Sequence, residues 1–126
     1  MSAFGLTEPN VGSDAGSVEA TAVRDGDDYI LNGAKTMIIN GSIADVICVF
    51  SSEDRSKKSR GITAFLVEKE QSQFSTNSIA KMGMHSSIFS EIVFEDCRVP
   101  AANILGENGK GFKIALSGLN VGRCIV

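Results

Sequence analysis

The residues that could do chemistry lie in three places. Near the amino end the chain reads Leu6-Thr7-Glu8-Pro9-Asn10-Val11-Gly12-Ser13-Asp14. A glycine followed at once by hydroxyl and carboxylate side chains can turn backbone N–H groups toward an anion such as a phosphate. The plain alternative is a turn-rich connection between strands, because the same residue types make turns. Near the other end, Asn120 and Arg123 are three residues apart, a spacing that puts both on one face of a helix. They could be ligand groups, or part of a solvent stripe with Lys113 and Ser117. Between these regions, residues 53–60 carry Arg55, Lys57, Lys58 and Arg60 around Ser59. That charge would suit a phosphate, although most charge runs are solvated loops. His85 is the only histidine, and no neighbour in sequence pairs it with a nucleophile, so it reads as a surface or structural residue.

The elements that must position these groups are mostly strands. Residues 18–24 alternate and run into Asp25-Gly26-Asp27-Asp28, a hairpin-type turn. Residues 29–31 resume as a strand and meet a second turn signal at Asn32-Gly33. Residues 35–39 continue before a third at Asn40-Gly41. Residues 44–51 are apolar on both alternating faces, which predicts a strand covered on both sides. Further strands are predicted over 62–68, 74–79 and 90–94, the last with Ile92 and Phe94 on one face. Only the stretch after Gly111 has helical spacing, with Phe112, Ala115, Leu116 and Leu119 as its apolar face. Many strands followed by one helix predict a mainly β fold. The expected form is an antiparallel β-barrel or sandwich that leads into the start of one α-helix.

Composition bounds the rest. The 126 residues suit one domain, and a net charge of −3 gives no electrostatic footprint for nucleic acid. The three cysteines, Cys48, Cys97 and Cys124, are too few and too far apart for a disulfide framework or a zinc site. They read as small buried hydrophobes in a reducing compartment. No apolar run has the length of a membrane span, and no signal peptide is visible. The chain enters structure almost at once after Met1-Ser2 and stops inside an apolar helical stretch without a cap, so a piece of a larger protein is expected.

Six ordered segments then carry a resemblance. Residues 6–14 resemble the T-E-P-x-x-G-S-D signature of the acyl-CoA dehydrogenase family. Leu31-Asn32-Gly33-Ala34-Lys35 with Ile38-Ile39-Asn40-Gly41 is similar to its L-N-G-x-K-x-W-I-T-N-G run. Residues 61–68, Met82-Gly83-Met84, residues 93–100 and residues 105–112 follow in the family's order and at close to its spacing. The resemblance implies the family's middle β-domain over residues 1–108, and the truncated first helix of its C-terminal helical domain over residues 109–126.

It also implies ligands. Leu6 and Thr7 would meet the isoalloxazine ring of FAD, with a backbone N–H and the Thr7 hydroxyl near its pyrimidine edge. Gly12 and Ser13 would approach the pyrophosphate, where a small residue lets the backbone come close. Ser13 would also lie beside the pantetheine arm of an acyl-CoA substrate, and Ser59 near the CoA nucleotide. Met37, Ile38 and Ile39 stand where the family has Trp-Ile-Thr beside the flavin. Met37 can fill the aromatic's space, whereas Ile39 has no hydroxyl for the flavin N5 region. Asn120 and Arg123 would face the thioester arm, Arg123 also reaching flavin across a subunit interface. Asn120 replaces an Asp, keeping the shape and losing the charge.

The reaction so implied is α,β-desaturation of an acyl-CoA to a trans-2-enoyl-CoA, with electrons leaving to an electron-transfer flavoprotein. It implies a homotetrameric assembly in the cytoplasm or the mitochondrial matrix. The chemistry needs a carboxylate base. Most members carry it far downstream, and a minority carry it at the position of Gly122, which has no side chain. No catalytic residue is therefore assigned within this chain, and the isolated chain is expected to be inert. Two rivals stand beside this reading. One is a flavin-dependent acyl-CoA oxidase or monooxygenase on the same scaffold. The other is a non-catalytic barrel used as an interaction module.

Overall fold

The computed structural model describes the backbone of residues 1–125 and the side chains of residues 1–124. Seven strands are followed by one helix: β1 (Ser2–Gly5), β2 (Thr21–Asp25), β3 (Asp28–Ile39), β4 (Val46–Ser52), β5 (Ile62–Glu68), β6 (Ser75–Ile79), β7 (Phe89–Pro100) and α1 (Gly111–Ile125). The strands form one curled sheet in the order β1-β4-β2-β3-β7-β6, with β5 also paired to β4.

The sheet is mixed, where a purely antiparallel one was expected. β1 runs parallel to β4, and β2 touches β4 in parallel through the single pair Thr21–Ser52. A parallel pair needs a long connection between its strands. Here the β2–β3 hairpin supplies it, carrying the chain away from β1 and back before β4 begins. The other pairings are antiparallel.

Turn chemistry was read correctly at Gly26, where φ is 64° and Asp25 pairs with Asp28 across a two-residue loop. It was misread at Asn32-Gly33. β3 passes through that dipeptide without turning, and its register against β7 shifts between Leu31 and Gly33. The signal marks a bulge with a close backbone approach. Gly33 has φ of 137°, and a Cβ there would lie 2.8 Å from both Cα and Cβ of Ala20. Asn32 fixes the opposite strand at the same point, donating from Nδ2 to the Asp96 carboxylate (3.1 Å) and accepting from the Asp96 amide (2.8 Å). A second register shift lies between Lys35 and Ile38 and contains Met37, whose φ is 56°.

β4 is buried on both faces, as its continuous apolar run predicts. Ile47 and Val49 join Leu31, Phe65, Val67, Ile92, Phe94 and Val99 inside the curl of the sheet. Phe50 and the half-buried Cys48 belong to a second cluster with Leu6, Val18, Ala20, Ile62, Ala64 and Ala115. That second cluster is where α1 docks. The helix presents Ala115 with Phe112, Ile114 and Leu119, whereas Leu116 stays exposed. The predicted apolar stripe was thus rotated slightly, with Ile114 in place of Leu116. Gly111 lets the helix begin hard against β5, since a Cβ there would lie 2.6 Å from the Thr63 carbonyl carbon.

Two outcomes follow from this packing. Gly33→Ala puts a side chain both into the backbone of Ala20 and onto a φ that L-residues avoid. It should lower stability by at least about 2 kcal/mol in urea unfolding. Cys124 is exposed, while burial pushes the thiols of Cys48 and Cys97 up to about 11. Cys124 should therefore react rapidly with a thiol reagent at mildly alkaline pH, the half-buried Cys48 slowly, and the buried Cys97 only after denaturation.

Candidate cofactor and substrate site

The amino-terminal loop leaves β1 and is fastened before it can wander. Glu8 and Val11 exchange backbone bonds of 3.0 and 3.1 Å around Pro9-Asn10, closing a tight turn. The Glu8 carboxylate is carried inward, where it accepts from the amides of Glu19 (2.6 Å) and Ala20 (2.9 Å) and from Lys35 Nζ (2.7 Å). Lys35 lies on β3 with its side chain fully enclosed, and the Glu8 side chain is 2% exposed. The ammonium has three protons and three acceptors: Glu8, the Leu6 carbonyl at 3.4 Å and the Phe50 carbonyl. Burial lowers the pKa of Lys35, while the adjacent Glu8 carboxylate pulls it the other way. A charge taken from water at a cost of several kcal/mol persists only with such complete partnering. The Thr7 carbonyl accepts from the Thr36 amide at 2.9 Å, which sets Thr7 beside the end of β3.

The result is a fixed, partly apolar face. Leu6 is buried and Thr7 half-buried. Met37 and Ile39 are 62% and 53% exposed, while the side chain of Ile38 is in the core. Ile38 can therefore offer a ligand only its backbone. Phe4, which no sequence motif singled out, packs at a tilt of 55° against Phe50 with ring centroids 5.0 Å apart yet remains partly exposed. It lines a hollow of about 500 Å³ with Ile39, Asn40, Val46, Cys48 and Leu66. It also lines an apolar pocket of about 520 Å³ with Gly118, Leu119, Gly122 and Arg123. The available signal was an aromatic residue on the open face of a short strand whose alternate residues, Ala3 and Gly5, face inward.

Ser13 and Ser59, distant in sequence, meet in one cleft of about 330 Å³ whose wall includes Gly16, Lys58, Phe112 and Leu116. Gly12 has no atom within 4 Å of where its Cβ would be, so the protein itself leaves that space open. The basic loop is a 3₁₀ segment (Arg55–Gly61) started by Asp54, whose side chain accepts from the Ser56 amide at 3.0 Å and pairs with Lys57 at 3.2 Å. Arg55 lines a small hollow with Ser52, whose buried hydroxyl has no partner among the described residues, and Lys58 lies between that hollow and the cleft. Arg123 is thus brought to Phe4, whereas Asn120 is exposed and lines neither the cleft nor the pocket. His85 is exposed in the β6–β7 connection, away from all of these.

The start of α1, which carries Asn120 and Arg123, is held by a second polar cluster. Asn108 donates to the Tyr29 hydroxyl (2.7 Å) and to both Glu53 oxygens (3.0 Å each), and Thr63 donates to Glu53. The Gly109 amide donates to the Thr63 hydroxyl at 2.8 Å. Two strands, β3 and β5, and the charged loop thereby fix where the helix leaves the sheet.

The chain has specific relatives among known proteins. Residues 3–97 match the family model described as acyl-CoA dehydrogenase, middle domain. The chain is 45% identical over 124 residues to the short-chain-specific acyl-CoA dehydrogenase of Clostridium acetobutylicum, covering 98% of this chain and 33% of that one. It superposes on butyryl-CoA dehydrogenase from Megasphaera elsdenii with a TM-score of 0.94 at 49% identity, over 98% of this chain and 33% of the other. A chain from a structural study of the electron transferring flavoprotein of Acidaminococcus fermentans matches with a TM-score of 0.95 at 50% identity, over the same shares. The chain spans about a third of the length of the relatives it matches. It belongs to the acyl-CoA dehydrogenase family, and residues 3–97 are that family's middle domain.

Proposed function

We propose that this chain is the flavin- and thioester-holding part of an FAD-dependent enzyme that desaturates an acyl-CoA to a trans-2-enoyl-CoA. Residues 1–108 form the β-domain, and residues 109–126 begin the first helix of a helical domain. The observation that carries the reading is a loop that ties Thr7 to β3 through Thr36, next in sequence to the exposed Met37, and leaves the space at Gly12 open. It fits a flat, partly apolar coenzyme with a phosphate tail. Exposed apolar side chains suit the ring, a half-buried Thr7 hydroxyl suits its polar edge, and Gly12 leaves room for a backbone approach to the phosphates.

FAD, when bound, supplies a hydride acceptor. The chain's own residues hold and orient. Leu6 and Thr7 take the ring edge, Met37, the Ile38 backbone and Ile39 its flank, and Gly12 and Ser13 the pyrophosphate. The cleft shared by Ser13 and Ser59 takes the CoA arm. Arg123 and Asn120 act from the helix, Arg123 toward a neighbouring subunit in a homotetramer. The base lies outside this chain. Glu8, a carboxylate of the loop itself, is occupied by Lys35 and two amides, and Gly122 offers no side chain. Electrons leave to an electron-transfer flavoprotein, in the cytoplasm or mitochondrial matrix. Among the described residues no helix is long and apolar enough to cross a membrane.

The full-length protein should purify with the visible absorption of oxidised flavin, and a short-chain acyl-CoA should bleach it under anaerobic conditions. A colourless protein that refuses added FAD would remove the proposal in favour of a non-catalytic module. Ile39 keeps an oxidase reading in play, because a side chain without a hydroxyl changes what meets flavin N5. Ile39→Thr in the full-length enzyme should shift the flavin potential or the rate of reoxidation by oxygen. No change in either would show that position 39 is silent. The isolated chain should not oxidise an acyl-CoA.

A further inference from the structure

We infer that Lys35, held in place by Glu8, is a positioning residue that aims the Thr7 amide N–H out of the protein as the donor to the electron-rich edge of the coenzyme. The inference rests on the flavin reading above and assigns part of the control of that coenzyme to a buried pair that does not touch it.

One peptide plane, between Leu6 and Thr7, carries the effect. Lys35 Nζ donates to the Leu6 carbonyl from inside the core. No cis peptide occurs among the described residues. A planar trans peptide points its N–H opposite its C=O, so tying the Leu6 oxygen inward turns the Thr7 N–H outward. The next carbonyl, Thr7 O, is fixed separately by the Thr36 amide, so the adjoining Thr7–Glu8 peptide is held as well. Among the described residues the Thr7 N–H makes no backbone hydrogen bond of its own. It is a free donor on a rigid mount.

The chemistry at the other face gives this a direction. A cation on a carbonyl oxygen polarises the peptide and strengthens its N–H as a donor. A donor aimed at the place where negative charge grows on reduction favours the reduced coenzyme over the oxidised one. Glu8 neutralises Lys35 and is itself anchored by the Glu19 and Ala20 amides, so the ammonium cannot swing away from Leu6. The pair carries no net charge, and its effect passes through the orientation and polarisation of one peptide, not through a long-range field.

The double variant Glu8→Gln/Lys35→Met in the full-length holoenzyme separates this role from simple stability. Either single change strands one buried charge and should destabilise the protein. Replacing both partners with groups of similar volume leaves no stranded charge and does not alter net charge. The double variant should bind oxidised flavin much as the parent does and bind reduced flavin about tenfold more weakly. That is a fall of about 30 mV in midpoint potential for a two-electron couple. A folded, flavin-loaded double variant with the parent's potential would overturn the inference. If the double variant does not fold, amide hydrogen exchange on the parent decides. The Thr7 N–H should be strongly protected with flavin bound and exchange freely without it, and equal exchange rates in the two forms would overturn the inference. A parent protein that takes up no flavin is a different result and removes the proposed function itself.

Discussion

A single enclosed ammonium organises this domain. Lys35 rises from β3 into a fully enclosed space, and it is stable there only because Glu8 and two carbonyl oxygens complete its shell. Those acceptors come from the amino-terminal loop and from β4, and Glu8 in turn accepts from the amides of a third stretch, Glu19 and Ala20. Three pieces of backbone that share no regular ladder are thereby locked to one point. The loop gains a fixed shape although it has only one small bridge of its own. Nearby, Gly33 has no Cβ to keep the strand away from Ala20.

The sheet and the helix serve the same end. The bulges in β3 aim Met37 and Ile39 outward while keeping Ile38 in the core. The Tyr29–Glu53–Thr63–Asn108 cluster sets the departure of α1, so that Arg123 meets Phe4 while Phe112 and Leu116 close the cleft opposite Ser13 and Ser59. Local polar networks thus do what a purely apolar core could not. They fix directions as well as distances, because hydrogen bonds are angular and dispersion contacts are not.

What could be read from the sequence followed physical lines. The strand over 46–52 declared itself because burial on both faces demands an unbroken apolar run. The turn at Gly26 was legible because only a φ-positive residue closes so short a loop. Asn32-Gly33 misled because a bulge and a hairpin use the same residue types, and only the partner strand tells them apart. The parallel β1–β4 pairing was hidden for a similar reason, since β1 is short and its partner lies far along the chain. Leu116 was assigned inward because helical spacing gives a stripe without its centre. The family motifs brought Thr7, Gly12 and Ser13 forward. They left Glu8 and Lys35 as letters, although a lysine inside an alternating apolar strand was itself a sign of a buried partner. Phe4 went unnoticed because one exposed aromatic residue in a short strand is unremarkable until the helix arrives beside it.

The most direct test is a crystal structure of the full-length protein with FAD. The account predicts the ring edge within hydrogen-bonding distance of the Thr7 amide, the ring flank against Met37 and Ile39, and Lys35 still donating to Leu6 and Glu8 beneath. A coenzyme bound elsewhere, or a loop over residues 6–13 that touches no ligand while Lys35 faces another partner, would contradict it.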